Sequence, residues 1–140
     1  MNTLIRIIIS SLVTLLSFQA SAQNNYTITV KVEGAESNDG KMFIALYDTA
    51  TNFLDKSYKG EVSDIKDRSC TVVFKDIPKG TYAVSMFHDE NDNGKLDTNF
   101  FGFPSEDYGC SNDARGIMGP PRWKDAKFEL KENQSITIHL

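Results

Sequence analysis

Thr81-Tyr82-Ala83-Val84-Ser85-Met86-Phe87-His88 places Tyr82, Val84, Met86 and His88 on one face, the period-two signature of a β-strand. The turn Pro78-Lys79-Gly80 precedes it, and the polar run Asp89-Glu90-Asn91-Asp92-Asn93-Gly94 follows directly. The same rhythm recurs outward from this strand. Tyr26 to Val32 alternates and is rich in β-branched residues, and Cys70 to Lys75 alternates again. At the C-terminal end Ala126, Phe128 and Leu130 alternate with polar residues, then Ile136, Ile138 and Leu140 do so. Lys41 to Tyr47 is short and almost wholly apolar, which suits a central strand. Asp48 to Asp67 is mixed and reads as a short helix or as a weak strand around Glu61 to Ile65. Six or seven short strands with regular turns and no long amphipathic helix predict an all-β protein. The expected architecture is an antiparallel, Ig-like β-sandwich of about seven strands with one long loop.

Residues 1–22 have a different character. Arg6 is their only charge, Ile7 to Leu16 is mostly apolar, and Ala20-Ser21-Ala22 is the small-x-small pattern that signal peptidase cleaves. Ser10, Ser11, Thr14, Ser17 and Gln19 interrupt a run already shorter than the ~20 apolar residues of a membrane span. The reading is a signal peptide over 1–22, cleaved after Ala22, and a single β-sandwich domain over 23–140. That domain is expected to be exported, periplasmic or extracellular, with no membrane span. The whole chain has 140 residues with 15 Lys+Arg against 19 Asp+Glu. Loss of Arg6 leaves 14 against 19, a net charge of −5. An acidic chain with no Lys/Arg cluster lacks the basic patch that binds phosphates by counterion release, so nucleic acid is not an expected partner.

From Asp89 to Lys124 the strand rhythm stops, and the stretch holds five glycines and three of the four prolines. Loops of this length are functional or disordered. Phe100, Phe101, Phe103, Tyr108 and Trp123 make this one too aromatic for disorder. It opens with D-x-N-x-N-G-x-x-D over Asp89 to Asp97, the first nine positions of a calcium loop. A hard cation needs six to eight oxygens. Alternate residues turn side-chain oxygens inward, and the glycine at the sixth position makes the turn that aims the next carbonyl at the ion. Asp89, Asn91, Asn93, the Lys95 carbonyl and Asp97 are the candidate ligands of a structural Ca2+. The twelfth position is Phe100 rather than a bidentate Glu, and flanking helices are not expected, so an EF-hand is excluded. A later carboxylate, from Glu106, Asp107 or Asp113, would complete the shell. The other reading is a polar turn in which Asn93-Gly94 supplies positive φ and the Asx side chains bond their own backbone. Between Asp89 and Asp113 there are seven acids and one base, Lys95, a density that repels itself unless a cation or solvent compensates it.

The aromatic runs Phe100-Phe101-Gly102-Phe103-Pro104 and Gly119-Pro120-Pro121-Arg122-Trp123 also have two readings. Exposed, they form a stacking platform for a carbohydrate or protein partner. Buried, they pack the loop onto the sandwich, and the area that aromatics bury favours this second reading. Arg115 and Arg122 are expected to pair with the acids. Catalytic patterns are weaker: Gly109-Cys110-Ser111-Asn112-Asp113 lacks the second glycine of a nucleophile elbow, and only His88 and His139 are candidate bases. Zinc needs three or four clustered Cys/His ligands, which this chain lacks. The enzymatic alternative is a small periplasmic hydrolase using His88 with loop carboxylates, or Cys110 paired with His88. Cys70 and Cys110 form either one disulfide pinning the loop to the sandwich or two separate buried thiols.

His88 to Gly102 (HDENDNGKLDTNFFG), followed by Tyr108-Gly109, Asn112-Asp113-Ala114-Arg115-Gly116 and Gly119-Pro120-Pro121, resembles a family of small exported bacterial proteins known only as a domain of unknown function. The resemblance extends over essentially all of the chain after residue 22, including Gly40-Lys41 and Ala45-Leu46-Tyr47-Asp48. It implies an exported single domain without an established activity. It also implies an aromatic where this chain has Cys110, so a disulfide there would be peculiar to this sequence. Pro78-Lys79-Gly80-Thr81-Tyr82 before a strand is similar to transthyretin-like sandwiches, which implies that architecture. The Tyr-Arg-Gly-Ser terminus of the transthyretin-related hydrolases is absent, and the chain ends Ile138-His139-Leu140. The function expected is a non-enzymatic binding or structural module with a calcium-stabilised loop.

Overall fold

A computed structural model describes residues 24–140; the leader read at 1–22 lies outside them. The described residues form eight strands: β1 (Asn25–Glu33), β2 (Lys41–Tyr47), β3 (Lys59–Ser63), β4 (Ser69–Pro78), β5 (Gly80–Asp89), β6 (Tyr108–Cys110), β7 (Phe128–Leu130) and β8 (Gln134–His139). They make two sheets. The smaller has the order β4-β1-β8; the larger runs β3-β2-β5-β6, with β7 also paired to β5. Every pair is antiparallel except β1 with β8, which is parallel. The fold is thus all-β, with two mostly antiparallel sheets, as the alternation predicts.

The core lies between the sheets and follows the sequence parity. Ile28, Val30 and Val32 of β1 meet Ile44, Leu46, Val84 and Met86 of the larger sheet, with Phe74, Leu130 and Ile138 closing the ends. Burying a side chain of this size is worth about 1.5–3 kcal/mol each, and this layer is where the fold gets its stability. Tyr82, Val84, Met86 and His88 are all buried, as their common parity requires.

Three elements depart from the expected boundaries. β4 continues past Lys75 to Pro78 through a β-bulge: Phe74 pairs with Ile28 and Ile77 with Tyr26, so two residues of β4 face Thr27 alone. Asp76 takes positive φ there, at 57°, and the bulge returns Ile77 to the core. The mixed segment supplies a strand, β3, rather than a helix. Ala126, expected in the seventh strand, instead ends a one-turn helix, Trp123–Ala126, and the long loop contains both β6 and a 3-10 turn at Ser111–Asp113.

A disulfide is not formed: Cys70 and Cys110 are both free and buried. Cys70 belongs to the core between the sheets, whereas Cys110 packs with Ala83, Ala114 and Ala126 on the outer face of the larger sheet. The two thiols lie on opposite sides of that sheet.

Candidate functional site

β5 delivers the chain to the acidic loop. His88 is wholly buried, and its Nε2 donates to the Asp39 carbonyl at 2.7 Å. Gly40, at φ +68°, lets this corner close, because a Cβ there would sit 1.8 Å from the Asp89 carbonyl oxygen. Asp89 is also buried. Its carboxylate accepts the backbone N–H of Asn93 at 3.0 Å and of Gly94 at 2.7 Å, which folds the loop back over the end of the strand. Gly94 turns with φ +77°.

The other predicted ligands gather on Asp97. The side-chain amides of Asn91 and Asn93 donate to its carboxylate at 2.5 and 3.0 Å. Asn91 Oδ1 accepts the Asn93 N–H, and Asn93 Oδ1 accepts the Lys95 N–H. Of the three later carboxylates, Glu106 is the one that reaches this ring: its two oxygens accept the N–H groups of Glu90 and Asp97 at 3.2 and 2.9 Å. Asp113 lies elsewhere, bonded to the backbone N–H and ring of His139, and Asp107 uses its carbonyl to bond His88 N–H.

Among the described residues, no three His, Cys, Asp or Glu side chains are grouped so that they could hold a metal ion by themselves. Any cation here depends on the Asn oxygens as well. The Asn91 and Asn93 oxygens, each accepting one backbone N–H, keep a second lone pair, so with the carboxylates they offer the all-oxygen donors that a hard cation requires.

Asp97 also roots an aromatic tip. Its carbonyl accepts Ser105 N–H at 2.8 Å, Thr98 bridges Pro104, and Asn99 Oδ1 caps the N–H groups of Phe101 and Phe103. The expected burial of these aromatics is overturned: Phe100 is 97% exposed and Phe103 60%. Ile117 and Met118 are equally bare. The tip stands away from the sheet, held at its root by polar bonds rather than by apolar packing. Trp123 does pack, edge-on to Phe53 at 5.7 Å, and Phe53 packs edge-on to Tyr47 at 5.4 Å. The arginines do not form the expected pairs with the loop acids: Arg122 meets Asp125 at the surface, and Arg115 donates to the His139 carbonyl.

Sequence reasoning misses a second feature, on the outer face of the larger sheet. Register puts Val62, Phe43, Phe87 and Tyr108 directly opposite one another across β3, β2, β5 and β6. The Phe43 and Phe87 rings stack at 5.0 Å. The next row on the same face is Gly60, Ala45, Ser85 and Cys110, four small residues. Beside them, Ser85 Oγ donates to the Tyr47 hydroxyl at 3.2 Å. The result is a trough of about 850 Å³ with a small-residue floor, overhung by Phe103, Ile117, Met118 and Pro120 of the loop. Each small residue is unremarkable in its own strand, and only the cross-strand register aligns them.

The loop's return arm is fixed by Ser111, which is fully buried. Its Oγ accepts the Val84 N–H at 3.0 Å and donates to the Ala126 carbonyl at 2.5 Å.

His88, a loop carboxylate and the trough do not come together: His88 is buried with Nε2 on a backbone carbonyl, its Nδ1 has no hydrogen-bond partner although the Glu90 carboxylate is 3.7 Å away, and neither His88 nor the acidic ring lines the trough. Burial pushes the Cys110 thiol up to about 12 and raises that of Cys70, so neither is a thiolate at neutral pH.

No helix among the described residues is long and apolar enough to cross a membrane. No curated protein and no solved structure matches the chain. Residues 30–138 match the family described as uncharacterised proteins conserved in bacteria (DUF2141), and the chain belongs to that family.

Proposed function

We propose that this chain is an exported, non-enzymatic binding module whose acidic loop is organised by a structural calcium ion. The observation that supports it is the calcium-loop order of Asp89, Asn91, Asn93 and Asp97, with the Asn91 and Asn93 side chains gathered on the Asp97 carboxylate, Asp89 bonded to the Asn93 N–H, and Glu106, nine residues beyond, bonded to the Asp97 N–H. With the Lys95 carbonyl these are the ligands. Export through the 1–22 leader carries the site to the compartment where loops of this kind bind calcium at about 0.1–1 mM. The ion offsets the loop's self-repulsion and fixes Asp97, from which the aromatic tip hangs. The binding surface is the outer face of the larger sheet together with that tip, and its partner is an uncharacterised ligand rather than nucleic acid.

At about 1 mM ion and a dissociation constant of about 0.1 mM, linkage contributes about 1.4 kcal/mol. For a domain of this size that is a rise of about 5 °C in melting temperature. Thermal melts in calcium and in chelator test it. The rise should be present in the wild-type protein and lost in Asp97→Asn; no shift at millimolar calcium sinks the reading.

A further inference from the structure

We infer that the trough on the outer face of the larger sheet is a site for an uncharged, apolar small molecule carrying one hydrogen-bonding group. This deepens the binding-module reading above by naming the ligand's chemistry. The strongest ground is the construction of the floor. Gly60, Ala45, Ser85 and Cys110 come from four different strands and align in one row, directly beside the row of Val62, Phe43, Phe87 and Tyr108. A sheet face that only met solvent would need neither the aromatic row nor a hollow next to it. The hollow of about 850 Å³ lies within the range of small-molecule sites, about 300–1,000 Å³.

The charge pattern selects the ligand. The side chains of the two floor rows are all uncharged: Glu61, at the trough's edge, pairs with Ile44 and so belongs to the opposite face of β3 from Gly60 and Val62, and no cation lines the trough. A carboxylate, sulfonate or phosphate would lose its hydration there with no cation to compensate it, so anionic amphiphiles are disfavoured. The hydroxyls of Ser85 and Tyr47, bonded to each other, are the polar point beside the floor. The Tyr47 O–H remains to donate to a ligand carbonyl or hydroxyl, and Ser85 Oγ, its proton already given to Tyr47, can accept from a ligand hydroxyl. Phe103 and Met118, exposed on the overhanging loop, are placed to cover the ligand's outer side.

A matched pair of fluorescent probes tests this on the purified protein. N-phenyl-1-naphthylamine is neutral; 8-anilino-1-naphthalenesulfonate has the same ring frame with an added anionic group. The neutral probe should bind saturably, and the sulfonate at least about tenfold more weakly, a difference of about 1.4 kcal/mol. Ala45→Leu fills the floor and should weaken the neutral probe at least about tenfold while leaving the melting transition in place. Should Ala45→Leu not fold, Val62→Glu at the half-exposed rim serves instead, adding a carboxylate to the outer face without touching the core. Absence of saturable binding overturns the inference. So does equal affinity for the sulfonate, or neutral-probe binding unaffected by a folded floor or rim variant. Saturation that disappears on dilution together with a dimer in sedimentation assigns the trough to a second copy and also overturns it. A protein that responds to calcium but binds no probe loses this inference alone; one that binds the probe without a calcium response loses the calcium reading alone.

Discussion

The sandwich and its loop are built in opposite senses. Between the sheets, apolar side chains such as Ile28, Phe74, Val84 and Met86 point inward and the charged ones outward. In the stretch from Asp89 to Glu106 the polar side chains turn inward, onto Asp97 and Asp89, while Phe100, Phe101 and Phe103 face solvent. Hydrophobic burial therefore holds the first region and cannot hold the second. The loop depends on carboxylates and amides that bond one another and backbone N–H groups, the set that the proposed calcium ion would complete. Its apolar side chains Phe100, Phe101 and Phe103 stay exposed.

The largest effect should come from the sandwich. Phe74→Ala removes a buried ring from the smaller sheet and should cost about 3–5 kcal/mol in denaturant unfolding. If the two regions are held independently, calcium affinity of the folded variant stays at the wild-type value; a parallel loss of affinity would break the comparison. Next comes the seam between them. Ser111→Ala leaves the Val84 N–H and the Ala126 carbonyl without their buried partner and should cost about 1–3 kcal/mol. Hydrogen exchange sharpens this, since protection should fall first in the return arm around Ala114 and Ala126 rather than in β1.

The smallest effect concerns the C-terminal clasp. The backbone N–H of His139, outweighing a modest desolvation, and then its ring and Arg115 hold the Asp113 carboxyl below the ordinary carboxylate range. A lowered value means stabilisation that is complete above about pH 4 and lost as pH falls through the folded-state value. Asp113→Asn should thus be less stable than wild type at pH 7, by no more than about 1 kcal/mol because the pair is half exposed, and the difference should vanish near pH 2. A difference that grows on acidification contradicts the assignment.

The sandwich was legible because each core strand carries its own parity. Tyr82, Val84, Met86 and His88 announce their shared face within eight residues, whereas β4 hides its last turn of pairing because the bulge at Asp76 breaks the alternation. β6 is three residues long with a glycine at its centre, too short for any period to show. The ligand spacing of Asp89 to Asp97 is local and could be read, but the choice of Glu106 over Asp107 and Asp113 depends on how the tip folds back. The exposure of Phe100 to Phe103 is hidden for a related reason: composition records that aromatics are present, not whether the loop folds down onto the sheet or stands off it. The trough floor was invisible because Gly60, Ala45, Ser85 and Cys110 become neighbours only through the register of four strands.

The central proposal is that calcium binds the carboxylate and amide oxygens of the loop from Asp89 to Glu106. Calorimetric titration of calcium into the purified protein tests it most directly. One saturable site per chain is predicted, with a dissociation constant of about 0.1–1 mM, abolished by Asp97→Asn and by Glu106→Gln. No saturable heat in the wild-type protein, or equal heat in both variants, would contradict it.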